Sequence, residues 1–329
     1  KNVTWEKKGT WNAGIDATLF NRLLNVNMEY YISNTHDILL AFPMAMSTGF
    51  TGYNANIGSM KNTGVEATIR LNWLQKHNMQ GSSTLMLYTN KNTVTALTGD
   101  QDEISGTQTI KVGMPIYTYN IVKTAGVDPA TGQQLYWAYK KDDKGERIEG
   151  SDYVTANKTE AQNSKYYLDS RAPKFQGSFG SDFQFGPVDF SFLTTFSYGG
   201  HVYESVYAQT MEAMYYGDTW NKQILRRWQK PGDVTDVPAV MMNSGRLATD
   251  KWLIDASYFA IKSIQLGYTL PQKWTQKVNI KGLRVFLVGD NIAMFNHLNG
   301  MDPQYSISGG TNYSYAPTRT FSCGIDINF

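Results

Sequence analysis

The sequence predicts an all-β fold: a large antiparallel transmembrane β-barrel with about nine long strands, long extracellular loops and short periplasmic turns. Three observations carry this prediction. Nine stretches have the length of a long strand, and in eight of them polar and apolar residues alternate, which is the period of a strand. The connections between these stretches are by turns short and long, as they are in outer-membrane barrels. The last stretch keeps its apolar face up to the final residue, Phe329.

The composition narrows the class of protein before any motif is considered. The 329 residues carry a net charge of +2, which indicates neither a basic surface for nucleic acid nor an acidic excess typical of disorder. The mean hydropathy is −0.40, and no apolar run approaches the roughly 20 residues that a membrane helix needs. Aromatic residues make up 13% of the chain, led by 21 tyrosines, and Tyr and Trp favour membrane interfaces. A helical membrane protein is excluded, whereas a membrane barrel is not.

The closing stretch, residues 318–329, is the strongest single strand signal. Phe321, Cys323, Ile325, Ile327 and Phe329 fall on one face, and the residues between them fall on the other. A strand in a soluble sandwich also alternates, but it usually continues into a polar tail or turn. Alternation up to a terminal aromatic residue favours the last strand of an outer-membrane barrel. The only cysteine excludes a disulfide framework and is interpreted as a small apolar side chain.

Seven further stretches alternate in the same way, and an eighth, residues 283–292, is predicted as a strand whose two faces are both rather apolar, so the sequence does not orient it. In the clearest, Val65, Ala67 and Ile69 face one way, whereas Glu66 and Arg70 face the other. Because a wet barrel lumen accommodates both charges and a soluble core does not, the polar strand faces are interpreted as a lumen wall, with a plain solvated face as the alternative. The charged residues of these faces are Asp16, Glu29, Glu66, Arg70, Asp182, Asp189 and Asp326. The eight stretches are residues 11–20, 24–33, 64–73, 80–90, 175–185, 188–198, 263–270 and 283–292.

Two long connections fall in the first half of the chain. Residues 34–62 are expected to be irregular, because Pro43 and several glycines interrupt any alternation. The connection at 91–172 is expected to contain a smaller strand pair, residues 116–124 and 133–139. The sequence Asp-Pro-Ala-Thr-Gly between them, at 128–132, predicts the turn that joins the pair.

The second half of the chain has long connections at 199–255 and 297–317, and the first of these has weak helical patterning at 204–216 and 221–228. Long loops at one rim and short turns at the other place the C-terminus at the periplasmic rim. Nine antiparallel strands leave the first and last pointing the same way, so these two cannot pair antiparallel. Since an open edge is not viable in a membrane, the chain is expected to be the C-terminal part of a longer barrel, with its export signal also lying outside it.

Several short motifs follow one another in a family's order. They are Thr-Trp-Glu-Lys at 4–7, Asn-Ala-Gly-Ile-Asp at 12–16, Leu-Phe-Asn-Arg-Leu at 19–23, Asn-Thr-Gly-Val-Glu at 62–66, Gly-Val-Asp-Pro-Ala-Thr-Gly at 126–132, Ala-Pro-Lys-Phe at 172–175, Arg-Trp-Gln-Lys-Pro-Gly-Asp at 227–233, Gly-Tyr-Thr-Leu-Pro at 267–271 and Gly-Asp-Asn at 289–291. On these motifs the whole chain resembles the C-terminal barrel portion of SusC-like TonB-dependent transporters of the Bacteroidetes outer membrane.

The resemblance implies a fold, a function and partners. The complete barrel would have roughly 22 strands and a plugged lumen. It would import a nutrient oligomer across the outer membrane through the TonB complex, and a glycan is favoured over a peptide. The implied partners are a SusD-like surface lipoprotein, the oligosaccharide or peptide substrate, outer-membrane lipid and a second transporter–lid pair in a dimer. The plug, the TonB-contacting segment and the N-terminal domain would lie outside residues 1–329.

The sequence indicates no catalytic, cofactor or metal site, and no enzyme is predicted. His36, His77, His201 and His297 are scattered, with no carboxylate at the spacing of a metal site. The acidic segment at 142–146 lacks the alternating ligands of a calcium loop and is interpreted as a solvated hairpin tip. No Gly-x-Ser-x-Gly element or phosphate-binding glycine loop is present.

Aromatic residues in two long connections are the candidate contacts with a ligand or with the lid protein. Aromatic faces pack on sugar rings and on protein surfaces, whereas ordinary loop packing or anchoring at the membrane interface is the alternative. The candidates are Tyr215, Tyr216, Trp220, Tyr305, Tyr313 and Tyr315. Two other functions stay open, a non-transporting surface or adhesion barrel and a soluble all-β domain. Sequence upstream of the chain separates the first of these from a transporter, and detergent-free solubility of the folded protein would favour the second.

Overall fold

The fold is an antiparallel β-structure with few short helices, as seen in a computed structural model. The structure describes residues 3–43, 46–49, 52–97, 103–212, 217–241, 245–298, 301–304, 315 and 317–329. Within these ranges, no helix combines the length and the apolar character that crossing a bilayer requires. The all-β fold class predicted from alternation is confirmed.

Strands make up most of the regular structure. In chain order they are β1 (Lys7–Leu19), β2 (Leu24–Pro43), β3 (Gly52–Lys76), β4 (Met79–Tyr88), β5 (Lys91–Leu97), β6 (Glu103–Ser105), β7 (Gln108–Ile110), β8 (Thr118–Ile121), β9 (Thr124–Val127), β10 (Gln134–Ala138), β11 (Tyr153–Thr155), β12 (Tyr166–Ser170), β13 (Phe175–Phe185), β14 (Val188–Tyr198), β15 (His201–Tyr203), β16 (Leu253–Asp255), β17 (Tyr258–Thr269), β18 (Gly282–Asn296) and β19 (Thr320–Asn328). The α-helices are α1 (Lys158–Asn163), α2 (Ser205–Met211) and α3 (Gln272–Thr275). Short 3-10 helices lie at Met46–Thr48, Lys222–Arg226, Asp250–Trp252 and Gln276–Val278.

Nine long strands form one sheet, which we call the strand wall. Its order is β1-β2-β3-β4-β13-β14-β17-β18-β19, and every neighbouring pair is antiparallel. The short strand β5 pairs with β3 beside this path. The nine strands are the nine predicted from alternation. In the described residues β1 and β19 have no second neighbour, and they point the same way because eight antiparallel steps separate them.

The apolar side chains form continuous rows across the strand wall. One row runs through Leu266, Leu287 and Cys323, which are opposite one another on β17, β18 and β19. The other face of the same strands carries the polar residues, as the alternation predicts. The strand β18, whose two faces both look apolar in the sequence, is oriented by register, because Arg284 lies opposite Asp326 on the polar face.

The first long connection differs from the prediction. Residues 34–62 are not irregular, because β2 runs on to Pro43 and β3 begins at Gly52, so the two strands form one long hairpin. The alternation is lost at Asp37, which has a φ of 58° and lies where the register shifts between Thr35 and Ile38. A bulge of this kind moves the following side chains to the opposite face, which hides the strand from a pattern of period two.

The second long connection partly follows the prediction. The turn at 128–132 is confirmed, since the Gly132 amide donates to the Asp128 carbonyl at 2.8 Å. The turn joins β9 to β10, however, and not residues 116–124 to β10, whereas β8 pairs with β7 and β12. The two helical patterns in 199–255 correspond to α2 and to the 3-10 helix Lys222–Arg226.

Candidate functional site

The long connections form a compact body at one rim of the strand wall, which we call the loop cap. It consists of β6–β12, β15, β16, α1, α2 and the described residues that join them. Its hydrophobic core combines Tyr119 and Ile121 from the first long connection with Tyr203, Met211 and Trp252 from the second. The two long connections at this rim therefore share one hydrophobic core and do not fold as separate loops.

Hydrogen bonds fasten the two connections of the loop cap together. The Tyr119 hydroxyl donates to the His201 carbonyl at 2.9 Å, and the Val122 amide donates to the Ala248 carbonyl at 3.0 Å. The Asp250 carboxylate accepts from both the amide and the hydroxyl of Thr124, at 2.8 and 2.7 Å. These contacts join residues more than eighty positions apart, so the cap forms only when both connections are in place.

Two motifs that are far apart in the sequence lie against each other in the loop cap. The Trp228 indole donates to the Pro129 carbonyl at 2.9 Å, and the Gly232 amide donates to the same carbonyl at 2.8 Å. Gly132 has a φ of +73°, and a Cβ there would lie 2.5 Å from the Trp228 ring. Only glycine meets both demands, since it has no side chain and tolerates a positive φ. The docked pair holds the segment that enters β10.

Beside this pair of motifs lies a cavity of about 330 Å³, which we call the cap cavity. Its apolar lining includes Tyr136 from β10, Met211 from α2, Trp220 and Ile224. Pockets that bind small ligands are mostly apolar, with a few polar groups that fix the ligand's orientation. The cap cavity has this composition, because six polar side chains line it as well: Gln133, Gln134, Lys158, Glu212, Arg246 and Thr249.

Two of the polar atoms at the cap cavity have no hydrogen-bond partner in the described structure. They are Gln134 Oε1 and Thr249 Oγ1, and both are buried. The side-chain amide nitrogen of Gln134 donates to the Gly126 carbonyl at 2.6 Å, which fixes the orientation of its oxygen. A buried polar atom left unpaired costs about 1–3 kcal/mol, so a ligand that donated hydrogen bonds to these atoms would recover that cost.

The charged groups at the cap cavity are one acid and two bases. Burial raises the pKa of the Glu212 carboxyl, and the nearby charge of Lys251 opposes this rise. The indole of Trp252 donates to Glu212 Oε1 at 3.3 Å. Burial lowers the pKa of the Lys158 ammonium, which donates to the Gly245 carbonyl at 2.6 Å. The charge of the Arg246 guanidinium, which lines the same cavity, acts on the Glu212 carboxyl and also opposes the rise of its pKa.

The polar face of the strand wall carries a second charged arrangement near the short turns. Arg284 forms a two-pronged hydrogen bond with Asp189, with Nε to Oδ1 at 2.9 Å and Nη2 to Oδ2 at 2.6 Å. Its Nη1 also donates to Asp326 Oδ2 at 3.1 Å. Gly267 lies beside this pair, and a Cβ there would collide with the Asp189 carboxylate. The network ties β14, β18 and β19 together across the polar face.

Comparison with known proteins gives matches along the whole chain, although no family model matches. The chain is 25% identical to the TonB-dependent receptor P26 of Formosa agariphila, covering 100% of the chain and 35% of that receptor. It is also 25% identical to the TonB-dependent receptor SusC of Bacteroides thetaiotaomicron, covering 100% of the chain and 32% of SusC. The RagAB peptide transporter superposes with a TM-score of 0.87 at 23% identity, over 99% of the chain and 36% of the solved chain.

This chain matches the barrel portion of SusC-like TonB-dependent transporters. The resemblance drawn from the motifs is confirmed, and the RagAB likeness supports the fold. The chain spans about a third of the length of the curated relatives it matches. The docked motifs at 126–132 and 227–233, which carry part of the SusC-like resemblance, lie beside the cap cavity, and none of their residues lines it.

The two predicted aromatic residues that the structure describes lie in different surroundings. Trp220 lines the cap cavity, whereas Tyr315 is 94% exposed and does not line that cavity. The other four candidates lie outside the described residues: Tyr215, Tyr216, Tyr305 and Tyr313. The contact role of all six stays a prediction.

Sequence reasoning missed the polar lining of the cap cavity. Gln134 lies in β10, Glu212 follows α2, and Arg246 and Thr249 lie together in the connection before β16, and no periodic pattern joins these three places. The one usable signal was the predicted turn at 128–132, which leads directly into Gln134. Within the described residues, no group of three or more His, Cys, Asp or Glu side chains could hold a metal ion.

Proposed function

We propose that the protein containing this chain imports a nutrient oligomer across the outer membrane of a Gram-negative, Bacteroidetes-like cell, driven through TonB. The observation that carries the proposal is the match of the whole chain to receptors named TonB-dependent, SusC among them. The strand wall supports it physically. One face presents large apolar side chains to the surroundings and the other presents charged ones, as the lipid and lumen faces of a transport barrel require.

The chain is the C-terminal portion of the barrel in this proposal, and the plug and the N-terminal domains belong to the rest of the protein. Two observations support this arrangement. About two thirds of the length of each relative lies outside the match. The outer edges of β1 and β19 also have no partner strand in the described residues, and a strand edge inside a bilayer needs one.

A SusD-like surface lipoprotein is the proposed partner at the long-loop rim, and the TonB complex is the proposed partner of the remaining part of the protein. The loop cap supports the first assignment, because its shared core gives the rim a fixed shape against which a second protein can pack. A dimer of transporter–lid pairs is the proposed assembly, on the resemblance to SusC-like proteins alone.

The proposed substrate is a glycan, on the likeness to SusC, and no catalytic role is proposed. A peptide is the second candidate, because the superposed RagAB structures are those of a peptide transporter. Both substrate classes require a barrel with an open route and an energised plug. A non-transporting adhesion barrel of the same fold would require neither.

The test is uptake by cells that carry the full-length protein and its lipoprotein. Fluorescently labelled oligosaccharides and oligopeptides are supplied to the parent strain, to a strain lacking the gene, and to a strain lacking the TonB-contacting segment. We expect oligosaccharide uptake in the parent strain alone. Uptake of peptides alone would show that the substrate is a peptide, which is the second candidate. Equal uptake in all three strains, with the protein present at the cell surface, would exclude transport and favour an adhesion barrel.

A further inference from the structure

The cap cavity brings together two unpaired polar atoms and a guanidinium. Gln134 Oε1 and Thr249 Oγ1 have no hydrogen-bond partner in the described residues, and the Arg246 guanidinium, whose charge acts on the Glu212 carboxyl, lines the same cavity. Thr249 is 3% exposed, so bulk water does not reach its hydroxyl freely. Buried polar atoms in proteins are nearly always paired, so two unpaired atoms at one cavity, beside the half-buried Arg246, indicate a ligand site.

The chemistry of these groups defines the ligand. A guanidinium offers only donors, in a planar fork that matches a carboxylate. The Gln134 oxygen offers only an acceptor, and the Thr249 hydroxyl can accept as well, so both suit hydroxyl groups. Trp220 and Tyr136 provide flat apolar surfaces in the same cavity. A ring that carries one carboxylate and several hydroxyls satisfies all of these groups at once.

The charge around the cap cavity favours an anion. Arg246 and Lys158 line it together, against the single carboxyl of Glu212. Burial raises the pKa of Glu212 and lowers the pKa of Lys158, so it favours the neutral form of each and leaves the Arg246 guanidinium as the main charge at the cavity. The cavity volume of about 330 Å³ lies at the small end of ligand pockets, which suits one unit of an oligomer.

We propose that the cap cavity is a binding site for an acidic sugar unit, with Arg246 on the carboxylate, Gln134 and Thr249 on the hydroxyls, and Trp220 against the ring. The inference rests on the proposed uptake of a glycan and names its class as a carboxylate-bearing one. It assigns the loop cap a role in selecting the substrate before that substrate enters the lumen.

The test is calorimetric titration of the full-length transporter, purified in detergent, with three probes. They are a galacturonic acid trimer, the same trimer with its carboxyl groups reduced, and a tripeptide with a free carboxyl terminus. We expect the acidic trimer to bind at least tenfold more tightly than the reduced one, and we expect the tripeptide not to compete for the site. Raising the salt concentration should weaken only the binding of the acidic trimer.

Variants locate the binding at the cap cavity. Arg246→Gln should weaken binding of the acidic trimer roughly tenfold to a hundredfold, because a charge-assisted hydrogen bond is lost, and leave binding of the reduced trimer unchanged. Arg246→Lys should restore part of the difference. The matched control is Arg226→Gln, which removes the same charge from an exposed ion pair of the loop cap with Asp236 and should change nothing. Resistance of the cap to trypsin confirms folding in each variant.

Each other outcome decides between the two proposals. If the acidic and reduced trimers bind equally, or if Arg246→Gln weakens both alike, the acidic-sugar site is wrong while glycan uptake stands. If the tripeptide alone binds and Arg246→Gln abolishes that binding, the cavity is a peptide site and both proposals on the glycan fail. If the cells also take up neither glycan nor peptide, the transport function itself fails.

Discussion

In the strand wall large apolar side chains lie at the surface, whereas in the loop cap they are buried. Leu287 of β18 is 58% exposed and Phe321 of β19 is 77% exposed, although both stand in long, regular strands. Trp252 and Tyr119 of the cap are 1% and 0% exposed, although they lie in short and irregular elements. The main cluster of buried apolar side chains in the described residues therefore lies in the irregular part of the chain and contains no residue of the strand wall.

The difference is what the proposed membrane barrel requires. In that proposal lipid covers the apolar rows of the strand wall, whose backbone groups pair between strands. The loop cap buries its own apolar surface as a water-soluble domain does. Each region can consequently be weakened without the other, and variants that do so test the division.

The largest effect is expected in the core of the loop cap. Trp252→Ala removes a side chain that packs edge-on against Tyr207, with ring centroids 5.2 Å apart, and leaves a cavity. We expect the cap to lose about 3–5 kcal/mol of stability, while the strand wall remains folded. Hydrogen exchange on the full-length protein in detergent measures the two regions separately.

Trp274→Ala is the matched control for the cap variant, because that indole is 58% exposed and lies beside the short turns. We expect it to leave the protection of the loop cap unchanged. Loss of protection throughout the strand wall in the Trp252 variant would show that cap and wall fold as one unit, and the division into two regions would be wrong.

A charge on the apolar face tests the strand wall in turn. Leu287→Arg places a cation in the row that is expected to face lipid, and we predict a loss of about 2–4 kcal/mol if the position lies near the bilayer midplane. Ser322→Arg puts the same charge on the polar face of the neighbouring strand, where the cost should be small. Resistance to heat unfolding in sodium dodecyl sulfate, followed by gel mobility, compares the two. Equal losses would mean that the apolar face is not in contact with lipid.

The strands of the strand wall can be predicted from the sequence because the alternation that marks a strand lies within a few consecutive residues. Alternation assigns each residue of β19 to a face, and register then follows from neighbouring strands with the same period. Alternation does not reveal the strand beyond Asp37, where a bulge reverses the faces, and it leaves β18 without an orientation, because Phe286 and Val288 place apolar groups on the polar face. Room for Phe286 comes from Gly324 on the next strand, a contact that a single-strand pattern does not contain.

The cap cavity could not be predicted because the residues that line it are far apart in the sequence. Gln134 and Arg246 line one space although more than a hundred residues separate them. Their approach depends on the docking of Trp228 on the turn at 128–132, and this contact is visible only in three dimensions. Aromatic content did indicate Trp220, since a large flat side chain in a polar connection is unusual enough to be noticed. The aromatic content of the connections did not show that Trp220 lines the cavity whereas Tyr315 does not.

An intermediate effect is expected where the two motifs dock. Gly132→Ala combines a positive φ, which costs an L-residue about 1–2 kcal/mol, with a contact against the Trp228 ring. We expect a total loss of about 2 kcal/mol or more, confined to the loop cap. Gly126→Ala is the control, because it has a φ of +93° with open space around it. Equal losses in thermal unfolding of the cap would show that the ring contact contributes nothing.

The smallest effect concerns the buried carboxyl of the cap. Burial raises the folded-state pKa of Glu212 above its usual value of 4.5, so folding favours the protonated form. The stabilisation from this proton is fully present below pH 4.5 and is lost as the pH rises through the folded-state pKa. The Glu212→Gln variant keeps an acceptor for the Trp252 indole without the charge. We expect it to be more stable than the parent at neutral pH, by on the order of 1 kcal/mol, and equally stable near pH 4.

Hydrogen exchange of the loop cap between about pH 4 and pH 7, corrected for the intrinsic rate, measures this difference. Glu146→Gln is the matched control, because Glu146 lies at an exposed hairpin tip and should give no difference at any pH. The strand wall serves as an internal reference, since it contains neither residue. A parent protein that matches the glutamine variant at neutral pH would mean that the charges of Lys251, Arg246 and Lys158 offset the burial of Glu212 fully. The cap cavity would then hold a stable carboxylate, and its preference for anions would depend on Arg246 and Lys158 outweighing that charge.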